Sequence, residues 1–317
     1  MRFFPLLFCF ALLTGCQREP SKVIGVVPKG ANHIFWQTVR AGAVKAAREA
    51  GYQVEWNAPE LEIDASRQIA IVEAMINRQV AGIVLAPVDR KALVNVVERA
   101  GKQGIPVAIF DSAIDTKKLI SYVATDNMEG GRMAARRLAE IIGGQGKVAI
   151  ITFMPGSAAT EERTHGIEDE VRAKYPKINI VARQFGMADR AKSMAVTENI
   201  LTAHPDLAGV FADNESSSSG AVQALKARGK RAVKMVAFDH AENLVEELRA
   251  GWIDALVVQN PFKMGEASTG AIIAKLRGQT PAAQVDSGIA LVRKADLDKL
   301  EVKALMAPDI QRYLKAE

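Results

Sequence analysis

Polar side chains follow nearly every short apolar run of this sequence, and they are the residues with the most chemistry to offer. Carboxylates accept hydrogen bonds, and amides both donate and accept them. The residues concerned are Asp111, Ser112, Asp213, Asn214, Asp239, His240, Gln259 and Asn260. No spacing of Cys, His and carboxylate residues predicts a zinc site. We therefore expect these side chains to bind a polar solute without a metal or another cofactor.

Four consecutive serines at residues 216–219 raise the alternative of a catalytic nucleophile. A nucleophile elbow needs the pattern G-x-S-x-G, and the glycine before the serines is absent. Serines in the first turn of a helix help to satisfy backbone N–H groups. The pattern therefore favours a helix that starts after Asp213 and Asn214 and ends at Gly229, over a catalytic serine or a flexible linker.

Short apolar runs alternate with amphipathic stretches along most of the chain. The alternation predicts βαβ units and a parallel sheet covered on both faces. Because there are two such series, we expect two lobes of similar architecture. In open parallel sheets, ligands bind beyond the carboxyl ends of the strands, which is where the polar residues above fall. The first series of runs occupies residues 22–27, 52–56, 81–86, 105–110 and 119–124, and the second 147–153, 178–185, 207–212, 233–238 and 254–259.

The N-terminus has the pattern of a secretory signal peptide. Arg2 precedes an apolar run at residues 3–13, and Leu-Thr-Gly-Cys ends at Cys16. The run is too short to span a bilayer as a helix. Its ending resembles the lipobox of bacterial lipoproteins, which implies cleavage before Cys16 and lipidation of that residue. Cys9 would then be removed with the signal, so we expect no disulfide bond.

Composition narrows the classes of partner. The 317 residues are 49% hydrophobic, enough for a core without disulfides, and their length predicts two domains. The 41 basic and 36 acidic residues give a formal net charge of +5, which is scattered along the chain. No basic stripe interleaved with aromatic residues indicates nucleic-acid binding.

Eight segments together resemble the bacterial periplasmic sugar-binding proteins of the ribose-binding type. These proteins share their fold with the effector domains of lactose-repressor-like regulators. The resemblance covers residues 22–293, and its strength lies in the order and spacing of the segments. They are FWQTVRAGAVKAAREAGY, GIVLAPVD, GIPVAIFD, YVATDNMEGGRMAA, EERTHGI, LTAHPDLAGVFADNE, MVAFD and VVQNPFKMG.

The resemblance implies an α/β fold with two similar doubly wound parallel-sheet lobes, joined by three crossover strands and closing on one sugar. The crossings are expected near residues 124–127, 259–261 and 287–289. The implied organisation is a lipoprotein signal peptide at 1–15, a lipidated linker at 16–21, an N-terminal lobe at 22–125 plus 260–288, and a C-terminal lobe at 126–259 plus 289–317.

The family's ligand positions carry over onto matching residues of this chain. They are His33, Phe35, Trp36, Asp111, Ser112, Arg163, Asn214, Asp239 and Gln259. Aromatic faces stack on the apolar face of a sugar ring, carboxylates accept hydrogen bonds from hydroxyl groups, and Arg163 donates several. Each position has a structural alternative: core packing for the two aromatic residues, turn or helix caps for the aspartates and Asn214, a solvated helix position for Arg163, and a hinge for Gln259. We expect Asp126 and Asn127 to start a helix.

Two departures from the family pattern bear on the ligand. Ribose-type members commonly have arginine where this chain has Ser112, and an aromatic residue in the segment that contains Met187 and Ala188. A charged donor and a stacking face are therefore missing, which predicts a ligand other than ribose.

The function implied by the resemblance is a lipid-anchored solute-binding protein, in the periplasm or at the cell surface. It would pass a monosaccharide or similar polyhydroxy compound to an ABC permease with its ATPase, acting as a monomer and not as an enzyme. A sugar sensor for a chemoreceptor or histidine kinase is the alternative, and a repressor core or an α/β enzyme is disfavoured. We expect the charged tail at residues 294–317 to pack on the second lobe, although contact with a partner is equally open.

Overall fold

The computed structural model of the protein describes residues 21–31 and 33–315. The predicted signal peptide and Cys16 lie outside the described residues, so cleavage of the signal and lipidation of Cys16 stay predictions. Within the described ranges, no helix has the length and hydrophobicity needed to cross a membrane.

A six-stranded parallel sheet forms the first lobe. Its strands are β1 (Val23–Val27), β2 (Gln53–Trp56), β3 (Gly82–Leu85), β4 (Val107–Phe110), β5 (Ser121–Ala124) and β11 (Gln284–Asp286). They lie in the order β11-β5-β4-β3-β1-β2, with every neighbouring pair parallel. Both faces are buried, because Ile24 and Val26 pack into one apolar cluster and Val27 into another.

A second six-stranded sheet forms the other lobe. Its strands are β6 (Gly146–Thr152), β7 (Ile178–Phe185), β8 (Leu207–Ala212), β9 (Lys234–Phe238), β10 (Ala255–Gln259) and β12 (Ile289–Val292). Their order is β12-β10-β9-β8-β6-β7, and only β12 is antiparallel to its neighbour. The strand β12 begins at a crossing between the lobes, where the parallel strands end, so it runs in the opposite direction.

Helices cover both faces of each sheet. The first sheet carries α1 (Ile34–Ala50) and α9 (Pro261–Leu276) on one face, with α2 (Ala65–Asn77) and α3 (Val94–Lys102) on the other. The second sheet carries α4 (Asn127–Ile141) and α5 (Ala158–Lys174) on one face, with α6 (Arg190–Ala203), α7 (Glu215–Ala227) and α8 (Glu242–Ala250) on the other. This arrangement confirms the predicted fold class of two doubly wound parallel-sheet lobes.

The chain passes between the sheets at three places, after β5, after β10 and after β11. These places fall at residues 125–126, 260 and 287–288, inside the predicted crossings. Two of them are joined by a hydrogen bond between the hydroxyl oxygens of Thr125 and Ser287, 3.2 Å apart. The third is fixed by Asn260, whose side chain accepts from the Lys263 N–H at 3.0 Å and so caps α9.

Glycines allow two helix pairs to pack at backbone distance. Gly42 and Gly265 lie where α1 meets α9, and Gly131 and Gly166 lie where α4 meets α5. A Cβ atom at any of these four positions would overlap the backbone of the opposite helix. The α4–α5 contact matters for the site, because the atom that such a group on Gly131 would strike is the carbonyl oxygen of Arg163.

The serine run is the start of a buried helix. Asn214 caps α7 by accepting a hydrogen bond from the Ser217 N–H at 3.1 Å, and the four serines are buried. Ser218 donates to the carbonyl oxygen of Phe238 at 3.1 Å, which ties α7 to β9. The predicted helix start is therefore confirmed.

The tail touches both lobes. A short 3-10 helix (Lys294–Asp296) leads to α10 (Leu300–Met306), and Leu297 and Val302 join the core of the second lobe. The final helix α11 (Gln311–Leu314) instead contacts the first lobe, where the Tyr313 ring lies 5.8 Å from the Phe262 ring and the Tyr313 carbonyl accepts from Arg48 at 3.3 Å. The expectation that the tail packs on the second lobe holds for α10 and is wrong for α11, because an aromatic partner is available at the start of α9.

Candidate functional site

A cavity lies between the lobes, where the carboxyl ends of the two sheets face each other. About 420 Å³ of space free of protein atoms lies in and around this cavity, a figure that includes open solvent at its mouth. Every predicted ligand-binding residue except Ser112 lines this cavity, namely His33, Phe35, Trp36, Asp111, Arg163, Asn214, Asp239 and Gln259. The cavity thus brings together side chains that follow strands of the first lobe and side chains that follow strands of the second lobe.

The two cavity aspartates, Asp111 after β4 and Asp239 after β9, have an unusual backbone conformation. Their φ angles are 62° and 70°, in the left-handed region that costs a residue with a side chain about 1–3 kcal/mol. Both residues are also nearly inaccessible, at 4% and 7% exposure. Local strain of this kind is typical of binding and catalytic sites, where surrounding contacts hold a residue in place.

Asp239 is held by two groups of its own lobe. Its Oδ1 accepts from the Gln259 amide at 2.6 Å, and its Oδ2 accepts from the Glu215 N–H at 3.1 Å. Burial raises the pKa of Asp239, and the opposing influence of Arg163 and Gln259 does not cancel that effect. The alternative that Asp239 caps its own turn is not what is observed, since the backbone group that it binds belongs to α7.

Asp111 is paired with a buried lysine. The Nζ atom of Lys29 lies 2.8 Å from its Oδ2, and both side chains are only 6% exposed. The same ammonium group lies 5.6 Å from the centre of the Phe153 ring, which belongs to the second lobe. A cation is therefore present beside Asp111 although Ser112 replaces the arginine common in the ribose-binding type.

Arg163 is fixed in the floor of the cavity. Its Nε donates to the Asn127 side chain at 2.9 Å and its Nη1 donates to the Asp213 carbonyl at 2.8 Å. The guanidinium carbon lies 3.9 Å from the centre of the Phe238 ring, in cation–π geometry. At 2% exposure it is not a solvated helix residue, so that alternative is wrong.

Asn214 and Gln259 each form a hydrogen bond within the protein and also line the cavity. The Asn214 side chain caps α7 while also lining the cavity. Gln259 lies at the end of β10, beside a crossing, and its Oε1 is buried without a hydrogen-bond partner in the described structure. A buried acceptor without a partner is costly, so this oxygen can accept a hydrogen bond from a molecule in the cavity.

The aromatic residues form one connected group in the first lobe. The Phe35 and Trp36 rings pack edge to face with centroids 4.8 Å apart, and Trp36 also contacts Phe110 at 6.2 Å. The Trp36 Nε1 donates to Glu62 at 2.6 Å, which satisfies its polar group within the protein. Both rings line the cavity and also belong to the core, so the two roles weighed from the sequence are compatible.

Glu62 is a largely buried carboxylate, with a side chain 12% exposed, that the sequence reasoning missed. It precedes α2 and accepts from Trp36, and its Oε1 lies 3.0 Å from the His33 Nδ1. Burial favours a higher pKa for Glu62, but the hydrogen bonds from His33 and Trp36 and the charge of Lys29 lower it below its ordinary value. Glu62 is therefore held in its ionised form.

Ser112 and the loop that contains Met187 do not line the cavity. The Ser112 hydroxyl oxygen accepts from the Ala159 N–H at 3.0 Å, which joins the two lobes. Met187 and Ala188 both have a φ angle of 55°, and Ala188 packs against the apolar cluster of the first lobe. A ligand role for Ser112 remains a prediction, with an interlobe contact as its observed role.

Several contacts show that the lobes are closed on each other. Besides the Ser112 bond, the Arg90 N–H donates to the Gly156 carbonyl at 2.9 Å. The Arg90 side chain also lies 3.6 Å from Glu161. Polar contacts of this kind across a cleft are made only when the two lobes meet.

Other cavity residues were not assigned as ligand positions from the sequence. They are Lys29, Glu62, Phe153, Ala159, Thr160 and Glu215. Lys29 and Phe153 do fall at strand ends, so the rule that located the aspartates applies to them too. Glu62 lies in a loop after β2 with no pattern of its own and could not have been found in this way.

The described part of the chain contains no group of three or more His, Cys, Asp or Glu side chains placed to hold a metal ion. The cavity instead offers charged and amide hydrogen-bonding groups beside aromatic rings. This combination suits a small neutral polyhydroxy molecule, which presents hydroxyl groups at its edge and apolar C–H groups on its faces.

Comparison with known proteins agrees with this chemistry. The family described as periplasmic binding protein domain matches residues 24–280. The ribose import binding protein of Bacillus subtilis is 31% identical over 284 residues, covering 84% of this chain and 90% of that protein. The D-ribose/D-allose-binding protein of Pseudomonas aeruginosa is 33% identical over 272 residues, covering 83% of this chain and 85% of that protein.

A solved structure extends the similarity to the whole fold. The carbohydrate transporter solute-binding protein from Agrobacterium radiobacter, in complex with D-arabinose, superposes with a TM-score of 0.88 at 34% identity. The match covers 91% of this chain and 100% of that one. The chain therefore belongs to the periplasmic sugar-binding proteins of the ribose-binding type, which are solute-binding proteins of ABC transporters and not enzymes.

Proposed function

We propose that the protein captures one monosaccharide, or a similar polyhydroxy compound, between its closing lobes and delivers it to an ABC permease. The observation that carries the proposal is that each lobe supplies a cation and a carboxylate to the same cavity: Lys29 and Asp111 from the first, Arg163 and Asp239 from the second. A ligand that bonds to both sets favours the closed state over the open one.

The roles of individual groups follow from their remaining bonding capacity. Asp111 and Asp239 accept hydrogen bonds from ligand hydroxyl groups, and the Gln259 Oε1 accepts another. Arg163 has five N–H donors, of which the two bonds to Asn127 and Asp213 use two. Hydrogen bonds to charged groups contribute about 1.5–3 kcal/mol each, so a few of them would give an affinity in the micromolar range, roughly −8 kcal/mol.

The substrate proposed is a pentose or hexose in ring form other than ribose. Relatives of this chain are named for binding ribose or allose, and neighbouring structures hold D-arabinose or D-fucose. The replacement of arginine by Ser112 does not leave Asp111 without a charged donor, because Lys29 supplies one. The preference for a sugar other than ribose therefore rests on the departures from the ribose-type pattern at Ser112, Met187 and Ala188.

A thermal-shift screen of the purified protein tests the proposal. The panel contains D-ribose, D-allose, D-arabinose, D-fucose, D-tagatose and xylitol, with sucrose as a control for non-specific stabilisation. A ligand that binds only the native state stabilises it by roughly 2.7 kcal/mol at a hundredfold excess over Kd. We expect one sugar to raise Tm well above the others, and equal shifts for all compounds including sucrose would contradict the proposal.

Delivery to a permease is tested in cells. A strain that lacks the protein should lose high-affinity uptake of the sugar identified by the screen, whereas a purely sensory protein would leave uptake unchanged. Unchanged uptake would favour the alternative that the protein is a sugar sensor.

The proposed location is the periplasm or cell surface, with the protein as a monomer anchored by lipid at Cys16. The support is the Leu-Thr-Gly-Cys ending of the apolar N-terminal run. Detergent phase partition of the processed protein checks the anchor. Wild type should enter the detergent phase at the size of the processed protein, and the Cys16→Ala variant should either remain aqueous or keep the size of the unprocessed protein. A processed Cys16→Ala protein that enters the detergent phase as wild type does would exclude lipidation at Cys16.

A further inference from the structure

His33 lies between carboxylates of the two lobes. It precedes the first turn of α1, and its Nδ1 is 3.0 Å from the Oε1 of Glu62 in the same lobe. Its Nε2 is 3.4 Å from the Oε2 of Glu215, the first residue of α7 in the second lobe. Both ring nitrogens of one histidine therefore face acceptors, and the two acceptors belong to bodies that separate when the cleft opens.

This geometry has a chemical consequence. A neutral imidazole has one N–H group and one acceptor nitrogen, whereas an imidazolium ion has two N–H groups. With a carboxylate at each end, only the protonated ring has a hydrogen to offer both. The neutral ring would direct a lone pair at one of the two carboxylates.

The Glu215 carboxylate depends on this contact for one of its oxygens. Its Oε1 accepts from Arg190 at 2.6 Å and from the Ser219 hydroxyl at 2.8 Å. Its Oε2 is buried and has no hydrogen-bond partner within ordinary geometry. The imidazolium of His33 is the cation that faces this oxygen, at 3.4 Å.

The charged groups around His33 come from several elements. Glu62 precedes α2, Glu215 starts α7 and Arg190 starts α6. Lys29 follows β1, and its charge acts on Glu62. Burial and the charge of Arg190 lower the pKa of His33. The hydrogen bond and charge of Glu62 and the charge of Glu215 raise it by more than these two effects lower it. The net direction is upward.

We propose that His33 is a proton-dependent latch between the lobes, held by Glu62 in the first lobe and engaging Glu215 only when the cleft closes. Closure then takes up protons, and the closed, sugar-bound state is favoured at lower pH. The inference rests on the proposed function, because the sugar is what drives closure. It adds a positioning role for His33, which holds the lobes together instead of, or besides, touching the sugar.

The sign of the pH dependence follows from linkage. Opening removes Glu215, which raises the histidine pKa, and it also relieves the burial and the Arg190 charge that lower it. The latch requires the loss of Glu215 to be the larger effect, so that the histidine pKa is lower in the open state than in the closed state. Between those two pKa values, binding takes up protons, and affinity falls as pH rises, by at most tenfold per pH unit. Deprotonation of Asp239 with rising pH would act in the opposite direction, since the carboxylate is the better acceptor, so the two effects are distinguishable.

Calorimetric titration at pH 5.5, 6.5, 7.5 and 8.5, with the panel sugar that gives the largest thermal shift, tests the latch. Wild type should show Kd rising about three- to tenfold across the range, and proton uptake when phosphate and Tris buffers are compared. His33→Asn, which keeps a residue suited to the position before a helix, and Glu215→Gln should flatten the profile. His165→Asn, at an exposed position on α5, should behave as wild type.

Two outcomes would overturn the latch: a flat wild-type profile, or the wild-type slope retained in both His33→Asn and Glu215→Gln. If no panel compound binds, the proposed substrate class fails and the latch is tested without ligand. Small-angle scattering of the free protein should then give a larger radius of gyration at pH 8.5 than at pH 5.5 in wild type but not in His33→Asn. An equal radius at both pH values in wild type would overturn it.

Discussion

Asp111 and Asp239 occupy equivalent positions in the two lobes. Each follows a central strand, has a left-handed backbone, and donates its N–H to the neighbouring strand, at 3.0 Å to Val123 and 2.9 Å to Val257. The equivalence means that each lobe aims one carboxylate at the cavity by the same backbone device. Their side-chain partners differ, however, because Asp111 is paired with Lys29 and Asp239 with neutral Gln259.

The Lys29–Asp111 pair should behave as a coupled unit. Removing one partner of a buried pair leaves an uncompensated charge, which typically costs 3–5 kcal/mol of stability. We expect Lys29→Met and Asp111→Asn each to destabilise the protein, and the double variant to cost about 1–3 kcal/mol less than their sum. Urea unfolding of the four proteins gives the coupling energy, and strict additivity would show that the pair does not interact.

Gly131 should be needed to position Arg163. An added methyl group would strike the Arg163 carbonyl, so Gly131→Ala should cost about 1–3 kcal/mol and also weaken sugar binding. The matched control is Gly270→Ala in α9, where the added methyl meets nothing within 4 Å and should be neutral or stabilise by about 0.5–1 kcal/mol. Chemical denaturation and calorimetry measure both effects, and equal behaviour of the two variants would contradict the packing argument.

Asp213 should make stability fall between about pH 4 and pH 7. Burial raises the pKa of Asp213 to about 7, against the hydrogen bond from Thr152 and the charge of Arg163. Its folded-state pKa lies above the unfolded value, so its contribution is present below the unfolded pKa and is lost as pH rises through 7. Asp213→Asn, which is neutral throughout, should therefore gain stability relative to wild type over this window, by on the order of 4 kcal/mol, because one pKa unit corresponds to about 1.4 kcal/mol.

Urea unfolding at several pH values between 4 and 8 checks this expectation. Asp206→Asn is the control, because Asp206 is exposed beside Lys147 and the lysine lowers its pKa below the ordinary value of 3.8. Its contribution to stability changes only below about pH 4, so the difference between Asp206→Asn and wild type should stay constant over this range. A difference between Asp213→Asn and wild type that does not grow with pH would show that the Asp213 carboxyl is already ionised in the folded state.

The tail should strengthen ligand binding more than it strengthens the fold. Its α10 packs on the second lobe while Tyr313 contacts Phe262 and Arg48 of the first, so it links the closed lobes. Deleting residues 308–317 should raise Kd about two- to tenfold, the value of one aromatic contact, with little change in Tm. Leu300→Ala, at an 83% exposed position, should change neither. A lower Tm with an unchanged Kd would assign the tail to folding alone.

The sequence allowed the fold and much of the site to be predicted for identifiable reasons. Buried parallel strands appear as apolar runs, and the polar residue after each run falls at the ligand edge of the sheet, which located Asp111, Asp239 and Gln259. Arg163 came from the family resemblance. Glu62 was missed because its loop has no periodicity, and its place in the cavity depends on contacts with Trp36 and His33.

The interlobe contacts could not be predicted in the same way. Whether Ser112 faces the ligand or the Ala159 N–H depends on how far the lobes close, which is a property of two separate bodies and not of a local pattern. The end of the tail was misassigned for a similar reason, since Tyr313 finds its partner on a helix of the other lobe.

The most direct test of the account is calorimetric titration of wild type and Asp239→Asn with the sugar that the thermal-shift screen identifies. Asparagine tolerates the left-handed backbone and keeps the side-chain shape, so the fold should be retained. We predict one binding site per chain in wild type and about 10- to 100-fold weaker binding in the variant, from the loss of a charged acceptor. Unchanged affinity in a folded Asp239→Asn protein would show that the sugar does not bind between the lobes as described.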